Sequence, residues 1–282
     1  MERADIVSKH IPVLLSEFLS LLPQVSGVWI DGTFGLGGYS KGLLNSGATK
    51  VIAIDMDPDV FSCANDFDEK WPGKFKILAG NFCHMNTLVA DIGLSSVSGV
   101  ILDVGISSMQ VDHPSRGFSF KHDGPLDMRM SKRGVSAKDL INQANESLIS
   151  EVLFKYGEER HAKAIAKRIV ETRKEYSIDS TRQLANIIEQ VLGFRKKHKI
   201  HPATRSFQAI RMAVNNELSN LIGGLVSANE LLEIGGLLAV ITFHSLEDRI
   251  VKKFFNLQTK TIYNCHKNYS YRDNLRNSIQ LY

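Results

Sequence analysis

The sequence predicts an α/β fold: a doubly wound, mostly parallel Rossmann-like sheet with an inserted all-helical domain. Three observations carry this expectation. Strand and helix patterns alternate over the first part of the chain, only helical patterns follow, and one continuous apolar strand returns at residues 237–243. Alternation of this kind builds a parallel sheet with helices on both faces. A sheet pattern that resumes after a run of helices is the mark of an insertion. The expected parts are 1–108 and 210–282 for the sheet domain, the latter including a C-terminal tail, and 109–209 for the helical insertion.

Residues 11–22 read as a helix with one apolar face. Val28-Trp-Ile30 is the first strand, closed by Asp31 and followed by the turn Gly32-Thr-Phe-Gly-Leu-Gly-Gly38 and a short helix from Tyr39. Val51-Ile-Ala-Ile54 is the second strand, closed by Asp55. Residues 75–78 form the third strand, with Gly80-Asn-Phe82 after it, and Val100-Ile-Leu102 the fourth, closed by Asp103. Residues 112–130 are polar, hold glycine and proline, and read as a long ordered loop. Ser136 with Asp139, and Ser180 with Gln183, have capping-box spacing. Ala162, Ile165, Ala166 and Ile169 recur at helical spacing, as do Leu184, Ile187, Ile188 and Val191, and both stripes read as core faces. Residues 207–218 read as a helix and Gly235-Gly236 as a turn before the last strand.

Composition narrows the function classes. The 282 residues are 43% hydrophobic, enough for a sizeable core. No stretch of about 18 apolar residues is present, so no membrane span and no membrane partner are expected. The N-terminus lacks a signal-peptide pattern. Cys63, Cys83 and Cys265 are scattered, which fits a reducing compartment, the cytoplasm, and no metal site. The formal charge of +4 decides little by itself. Its distribution says more: from residue 152 to 211 there are fourteen Lys/Arg against six Asp/Glu. The run Arg195-Lys-Lys-His-Lys199 would attract a phosphate-rich partner, the alternative being a solvated face.

Ligands of an open parallel sheet bind beyond the carboxyl ends of its strands. Asp31, Asp55, Phe82, Asp103 and His244 are all expected on that rim. The glycines let the backbone approach a ligand without a Cβ in the way. Asp55 is placed to accept hydrogen bonds from ribose hydroxyls. A dinucleotide fingerprint needs a third glycine where Ser40 stands, which argues against a nicotinamide-dependent oxidoreductase. The acid before the turn and Gly35-Leu-Gly37-Gly38 within it look more like the first motif of an S-adenosyl-L-methionine (SAM) methyltransferase. A non-catalytic RNA-binding protein on the same fold is a third reading, and the intact Asp31, Asp55 and Asp103 set argues against it.

Longer strings narrow the choice. His10-Ile-Pro-Val-Leu, Asp31-Gly-Thr-Phe-Gly-Leu-Gly-Gly, Asp55-Met-Asp-Pro, Leu102-Asp-Val-Gly-Ile-Ser-Ser and Arg116-Gly-Phe-Ser-Phe occur in this order. Asp123-Gly-Pro-Leu-Asp-Met-Arg, Tyr156-Gly-Glu-Glu, Ala203-Thr-Arg-Ser-Phe-Gln and Phe243-His-Ser-Leu-Glu-Asp-Arg follow them. Together they resemble the bacterial small-subunit rRNA cytosine-N4 methyltransferases, the RsmH/MraW family, over residues 10–255. The resemblance implies class I SAM methyltransferase activity on the exocyclic N4 of a cytidine in the decoding region of 16S rRNA, within the small ribosomal subunit. It implies cofactor contacts from Gly37, Gly38, Tyr39, Asp55, Phe82, Asp103 and Gln110, RNA contacts from the helical insertion, and leaves a homodimer open. The family usually has His at the position of Tyr39 and an arginine-rich tail where this chain reads Asn277-Ser-Ile-Gln-Leu-Tyr282.

The chemistry points to two side chains. A cytosine amine is a poor nucleophile because its lone pair is delocalised into the ring. An acceptor for its N–H localises that pair, and a base must later take a proton. Asp103 suits both roles, with cofactor anchoring as its alternative. His244 is the second candidate, either against the target nucleotide or as the cap of the following helix. In the 112–130 loop, Arg116, Phe118, Phe120, Asp127 and Arg129 suit a single-stranded base, or else anchor an ordered loop.

Reversal of Lys196, Lys197 and Lys199 to Glu is expected to weaken RNA binding and to leave SAM binding intact, with wild-type affinity falling as salt rises. Filter binding at several salt concentrations checks this. Equal RNA affinity of variant and wild type would reduce the run to a solvated face.

Overall fold

The computed structural model describes residues 12–193, 200–268 and 277–281. His10, the run 195–199 and the side chain of Cys265 lie outside the described residues. The chain divides into two compact units, one from Met1–Gly105 with Leu218–Tyr282, the other Ile106–Glu217.

The first unit opens with α1 (Leu15–Leu21), β1 (Val28–Asp31), α2 (Gly38–Asn45), β2 (Lys50–Asp55), α3 (Asn65–Lys70), β3 (Phe75–Ala79), α4 (Met85–Ala90) and β4 (Val97–Asp103). The second unit is all helical: α5 (Ser108–Asp112), α6 (Ala137–Gln143), α7 (Glu146–Gly157), α8 (Ala162–Thr172), α9 (Thr181–Leu192) and α10 (Thr204–Val214). The chain then returns through α11 (Glu217–Leu231), β5 (Leu232–Ile241), α12 (Ser245–Asn268) and β6 (Asn277–Leu281). The strands form one sheet in the order β3-β2-β1-β4-β5-β6, every neighbouring pair parallel. The chain runs outward from β1 through β2 to β3 and then restarts at β4 on the other side of β1. That reversal is the switch point where a crevice opens beyond the strand ends.

Both faces of the sheet are covered, which explains why its strands read as unbroken apolar runs. Trp29, Val51, Ile101, Ala239 and Ile241 pack on one side with Phe18, Leu43 and Phe34. Ile30, Ile52, Ile54, Val100, Leu102, Leu238 and Val240 pack on the other with Met85, Val89, Leu221 and Leu225. Each such side chain contributes about 1.5–3 kcal/mol when fully buried, so this two-sided core outweighs any single polar contact. The helical unit buries its own stripes, including Ile165, Ala166, Ile169, Leu184, Ile187 and Ile188. Its Ser136–Asp139 and Ser180–Gln183 capping boxes both form.

Four boundaries differ from the expectation, each for a local reason. The first helix begins at Leu15, beyond Pro12. Gly235-Gly236 lies inside β5 rather than ending before it: Val97 pairs with Leu232 and Gly99 with Leu237, so the extra residues bulge outward. The strand stops at Ile241 because the N–H of Phe243 turns away to the Glu247 carboxylate at 3.0 Å. The helix expected over 207–218 is two helices. Asn215 breaks it by holding Arg211 and Met128 carbonyls with its amide and the Met130 N–H with its oxygen. The tail pairs in parallel with β5 as β6, from Ile279 beside Ala239 to Leu281 beside Ile241.

Gly99 sets the fit between β1 and β4. A Cβ on it would lie 2.4 Å from the six-membered ring of Trp29, whose Nε1 is tied to the Ser26 carbonyl at 2.9 Å. Gly99→Ala is therefore expected to destabilise the sheet unit by about 1–3 kcal/mol through overpacking. Urea unfolding followed by tryptophan fluorescence measures it. An unchanged midpoint would mean that the ring can move aside.

Candidate functional site

Asp31, Asp55 and Asp103 are the last residues of β1, β2 and β4, and Phe82 and His244 each follow a strand by three residues. Parallel pairing puts all five strand ends on one edge of the sheet. The turn between β1 and α2 is stitched to both neighbouring strands, with Gly32 donating to the Ile101 carbonyl and Phe34 to that of Ile54. Thr33 adds its hydroxyl as acceptor for the Asp103 N–H at 2.7 Å.

Asp31 anchors this turn. It is fully buried and accepts from Ser40 Oγ at 2.7 Å, Ser40 N at 3.1 Å and Thr33 N at 3.3 Å. Burial raises its pKa to about 6 against those bonds. Gly37 sits in the left-handed region at φ 76° as the N-cap of α2. A Cβ on Gly37 would strike Phe67 and Phe34, and one on Gly38 would strike Pro12. Both glycines thus let protein close in around the turn. Tyr39 is 3% exposed, its ring edge-on to Phe18 at 5.7 Å. The ring is a core element on α2, and its hydroxyl is pushed up by burial and then by the Asp103 charge.

Asp55 holds the next loop, taking the N–H of Gly35 on Oδ2 at 2.8 Å and that of Asp57 on Oδ1 at 2.9 Å. Burial still raises its pKa. Phe82 rests on two glycines: a Cβ on Gly224 of α11 would lie 2.4 Å from its ring, and one on Gly32 would lie 3.1 Å from its Cβ. Ser227 Oγ donates to the Cys83 carbonyl at 2.8 Å and ties the same loop to α11.

Asp103 is the exception among these acids. Its Oδ1 is buried without a hydrogen-bond partner. Burial, then the charges of Asp31 and Glu247, raise its pKa to about 7. No cation figures among those causes. Glu247 is 2% exposed on the first turn of α12, and its Oε1 lies 3.0 Å from His244 Nε2. His244 Nδ1 accepts the Glu247 N–H at 3.4 Å. The Nδ1 of His244 thus caps the start of its own helix, while its Nε2 is buried without a hydrogen-bond partner.

Gln110 belongs to the helical unit. It is buried on α5 and closes a capping box with Ser107, its Oε1 accepting the Ser107 N–H at 3.1 Å. The loop from 112 to 130 is an anchored one. Arg116 is buried and donates to the Arg129 and Met130 carbonyls, Phe118 is buried, and Asp127 pairs with Arg129 at 2.7 Å. Phe120 packs tilted against His201 at 4.5 Å and edge-on to Phe207 at 4.7 Å. These residues hold the loop to its own unit, so the aromatic-and-arginine pattern is explained by packing. On α8, Lys163, Lys167 and Arg168 stand exposed opposite the buried stripe.

Sequence reasoning missed Ser40 as a partner, Thr33, Glu247 and the bed that Gly224 makes for Phe82. The Ser107-x-x-Gln110 spacing was a readable signal. The others depend on contacts distant in sequence.

The model of the MraW methylase family matches residues 7–270 of this chain. The chain belongs to the MraW methylase family. The Ribosomal RNA small subunit methyltransferase H of Jannaschia sp. (strain CCS1) is 52% identical over 252 residues, covering 89% of this chain and 76% of the relative. The protein of that name from Cereibacter sphaeroides (strain ATCC 17025 / ATH 2.4.3) is 50% identical over 250 residues, covering 89% and 74%. That from Methylorubrum populi (strain ATCC BAA-705 / NCIMB 13946 / BJ001) is 49% identical over 254 residues, covering 89% and 72%. No helix among the described residues of this family member is long and apolar enough to cross a membrane.

The raised acids have a consequence for stability. A carboxyl whose folded pKa exceeds its unfolded value near 3.8 stabilises the fold when protonated and loses that contribution as pH rises through the folded pKa. For Asp103 the loss accrues from about pH 4, near its ordinary value, up to its raised value of about 7. Asp103→Asn, which cannot ionise, is expected to be more stable than wild type by roughly 1–3 kcal/mol near pH 8 and nearly equal to it near pH 4. Thermal unfolding across that range tests this. A gain that does not depend on pH would show that the ionised carboxylate carries no such cost.

Proposed function

We propose that this chain transfers the methyl group of SAM to the exocyclic N4 of a cytidine in the decoding region of 16S rRNA, within the small ribosomal subunit. Family membership and the names of the relatives support rRNA as the substrate class. The observation that carries the reading is Asp103: a buried carboxylate oxygen without a partner, surrounded by other acids. Such a group seeks a cation or an N–H donor.

SAM, which bears a sulfonium and an ammonium, offers positive charge to this acidic rim, and the amine of the base offers the N–H donor. The residues present fit SAM. The turn at Gly37 and Gly38 with Tyr39 would border its amino acid end, Asp55 would take the ribose, Phe82 would border the adenine, and Asp103 would complete the set. When bound, the cofactor supplies a methyl group already activated by the positive sulfur. The protein's task is then alignment and proton handling. Asp103 accepts an N–H of the amine, which returns lone-pair density to nitrogen as the new bond forms, and then takes up the proton. Burial and its acidic neighbours favour uptake of a proton by this carboxyl. His244, held by Glu247, serves in this reading as the cap that fixes the start of α12. The helical unit, with its exposed lysines on α8, would bind the RNA.

Incubation with methyl-labelled SAM and small subunits lacking the modification, followed by mapping of the labelled base, tests the assignment directly. Label on a cytosine N4 supports it, and label elsewhere or none rejects it. In the same assay Asp103→Asn is expected to lower the single-turnover rate by about 10²–10⁴-fold even at saturating SAM. Full recovery at saturation would confine Asp103 to holding the cofactor.

A further inference from the structure

We propose that Phe243 is the platform on which the nucleobase receiving the methyl group stacks. The proposal rests on the rRNA reading above and gives it a second contact beside Asp103.

Phe243 lies two residues beyond the end of β5, and its side chain is 57% exposed, while Leu238, Ala239, Val240 and Ile241 before it are buried. Its backbone is fixed all the same. The Phe243 N–H donates to Glu247 Oε2 at 3.0 Å, and that carboxylate is buried on α12. A loosely held chain end therefore does not account for the exposure. Among the residues of the sheet unit whose side chains are described, Phe243 is the one exposed phenylalanine, tyrosine or tryptophan.

Its place in the sheet gives the exposure a meaning. Asp103 on β4 pairs in register with Ile241 on β5. Two residues further along each strand stand Gly105 and Phe243. Gly105 has φ +120° and no side chain, and a Cβ there would be 3.4 Å from Cδ2 of the Phe243 ring. The ring therefore reaches over to the strand end that carries Asp103. Glu247 links the two residues: it holds the Phe243 backbone, and its charge acts on Asp103.

A cytosine offers two recognisable features, a flat π face and an amine in the plane of the ring. An enzyme that modifies a base outside a stack replaces the lost stacking with an aromatic or apolar surface. Phe243 offers the face, and the unpartnered Oδ1 of Asp103 offers an acceptor for the in-plane amine. The aromatics of the 112–130 loop are already engaged, Phe118 by burial and Phe120 by His201 and Phe207.

The test compares Phe243→Ala, Phe243→Leu and Phe243→Tyr in single-turnover methylation of small subunits lacking the modification. SAM affinity and thermal stability are measured in parallel. Stacking predicts that Ala and Leu lower kcat/KM by roughly 10–100-fold while Tyr stays close to wild type, with SAM affinity unchanged. Leu matching Tyr would reduce the role to general apolar contact, and Ala matching wild type would remove it. Loss of SAM affinity in step with the rate would move Phe243 into the cofactor pocket and overturn the proposal. Methylation of cytosine by wild type with any of these three outcomes leaves the rRNA reading standing. No transfer by wild type would reject that reading and this inference with it.

Discussion

The rim of the sheet depends on one buried carboxylate. Asp31 closes β1 and receives the hydroxyl and N–H of Ser40 and the N–H of Thr33. It thereby binds the glycine turn to the first turn of the helix that follows, where backbone N–H groups lack partners inside the helix. Burying the charge is costly, and its raised pKa records that cost. In return the backbone of residues 32–40 is held in one arrangement, and Thr33 within it carries the end of β4. The other acids of the rim take their positions from this arrangement.

The rim therefore gathers like charges. Burial is the first cause of the raised pKa at Asp31, Asp55 and Asp103, and acidic neighbours add to it at each. Asp55 spends its two oxygens on loop N–H groups, whereas Asp103 keeps one oxygen without a partner. A fold selected for stability alone would have no reason to retain that oxygen. Strain of this kind belongs where a ligand relieves it.

The architecture was legible because two periodicities survive in the sequence. Val51-Ile-Ala-Ile54 and residues 237–241 are apolar without a break since both faces of the sheet are covered. The stripe from Ala162 to Ile169 is helical because one face of α8 is buried. The acids closing three strands were legible too, since a charge directly after an apolar run stands out. What stayed hidden depends on residues far apart in the chain. Ser40 counted only as a missing glycine until Asp31 was seen to bind it. Arg116, Phe118 and Phe120 have the composition of a base-binding loop, yet carbonyl groups and ring contacts within their own unit account for them. The Glu247 carboxylate that ends β5 lies in the next helix, so residues 242 and 243 read as strand until that bond was known.

The neighbouring strands β4 and β5 are separated in the chain by the whole of the helical unit, Ile106–Glu217. During synthesis β4 leaves the ribosome long before its partner. At about 5–20 residues per second, the intervening segment alone takes roughly 5–20 s to make. For that interval β1, β2, β3 and β4 can assemble only as a half-sheet with β4 as an open edge, lacking Leu238 and Val240 from the core they later complete. An open apolar edge is a template for pairing with other chains. The nascent protein thus has an aggregation-prone stage built into its topology, one that ends only when residues 232–241 emerge and seal the edge.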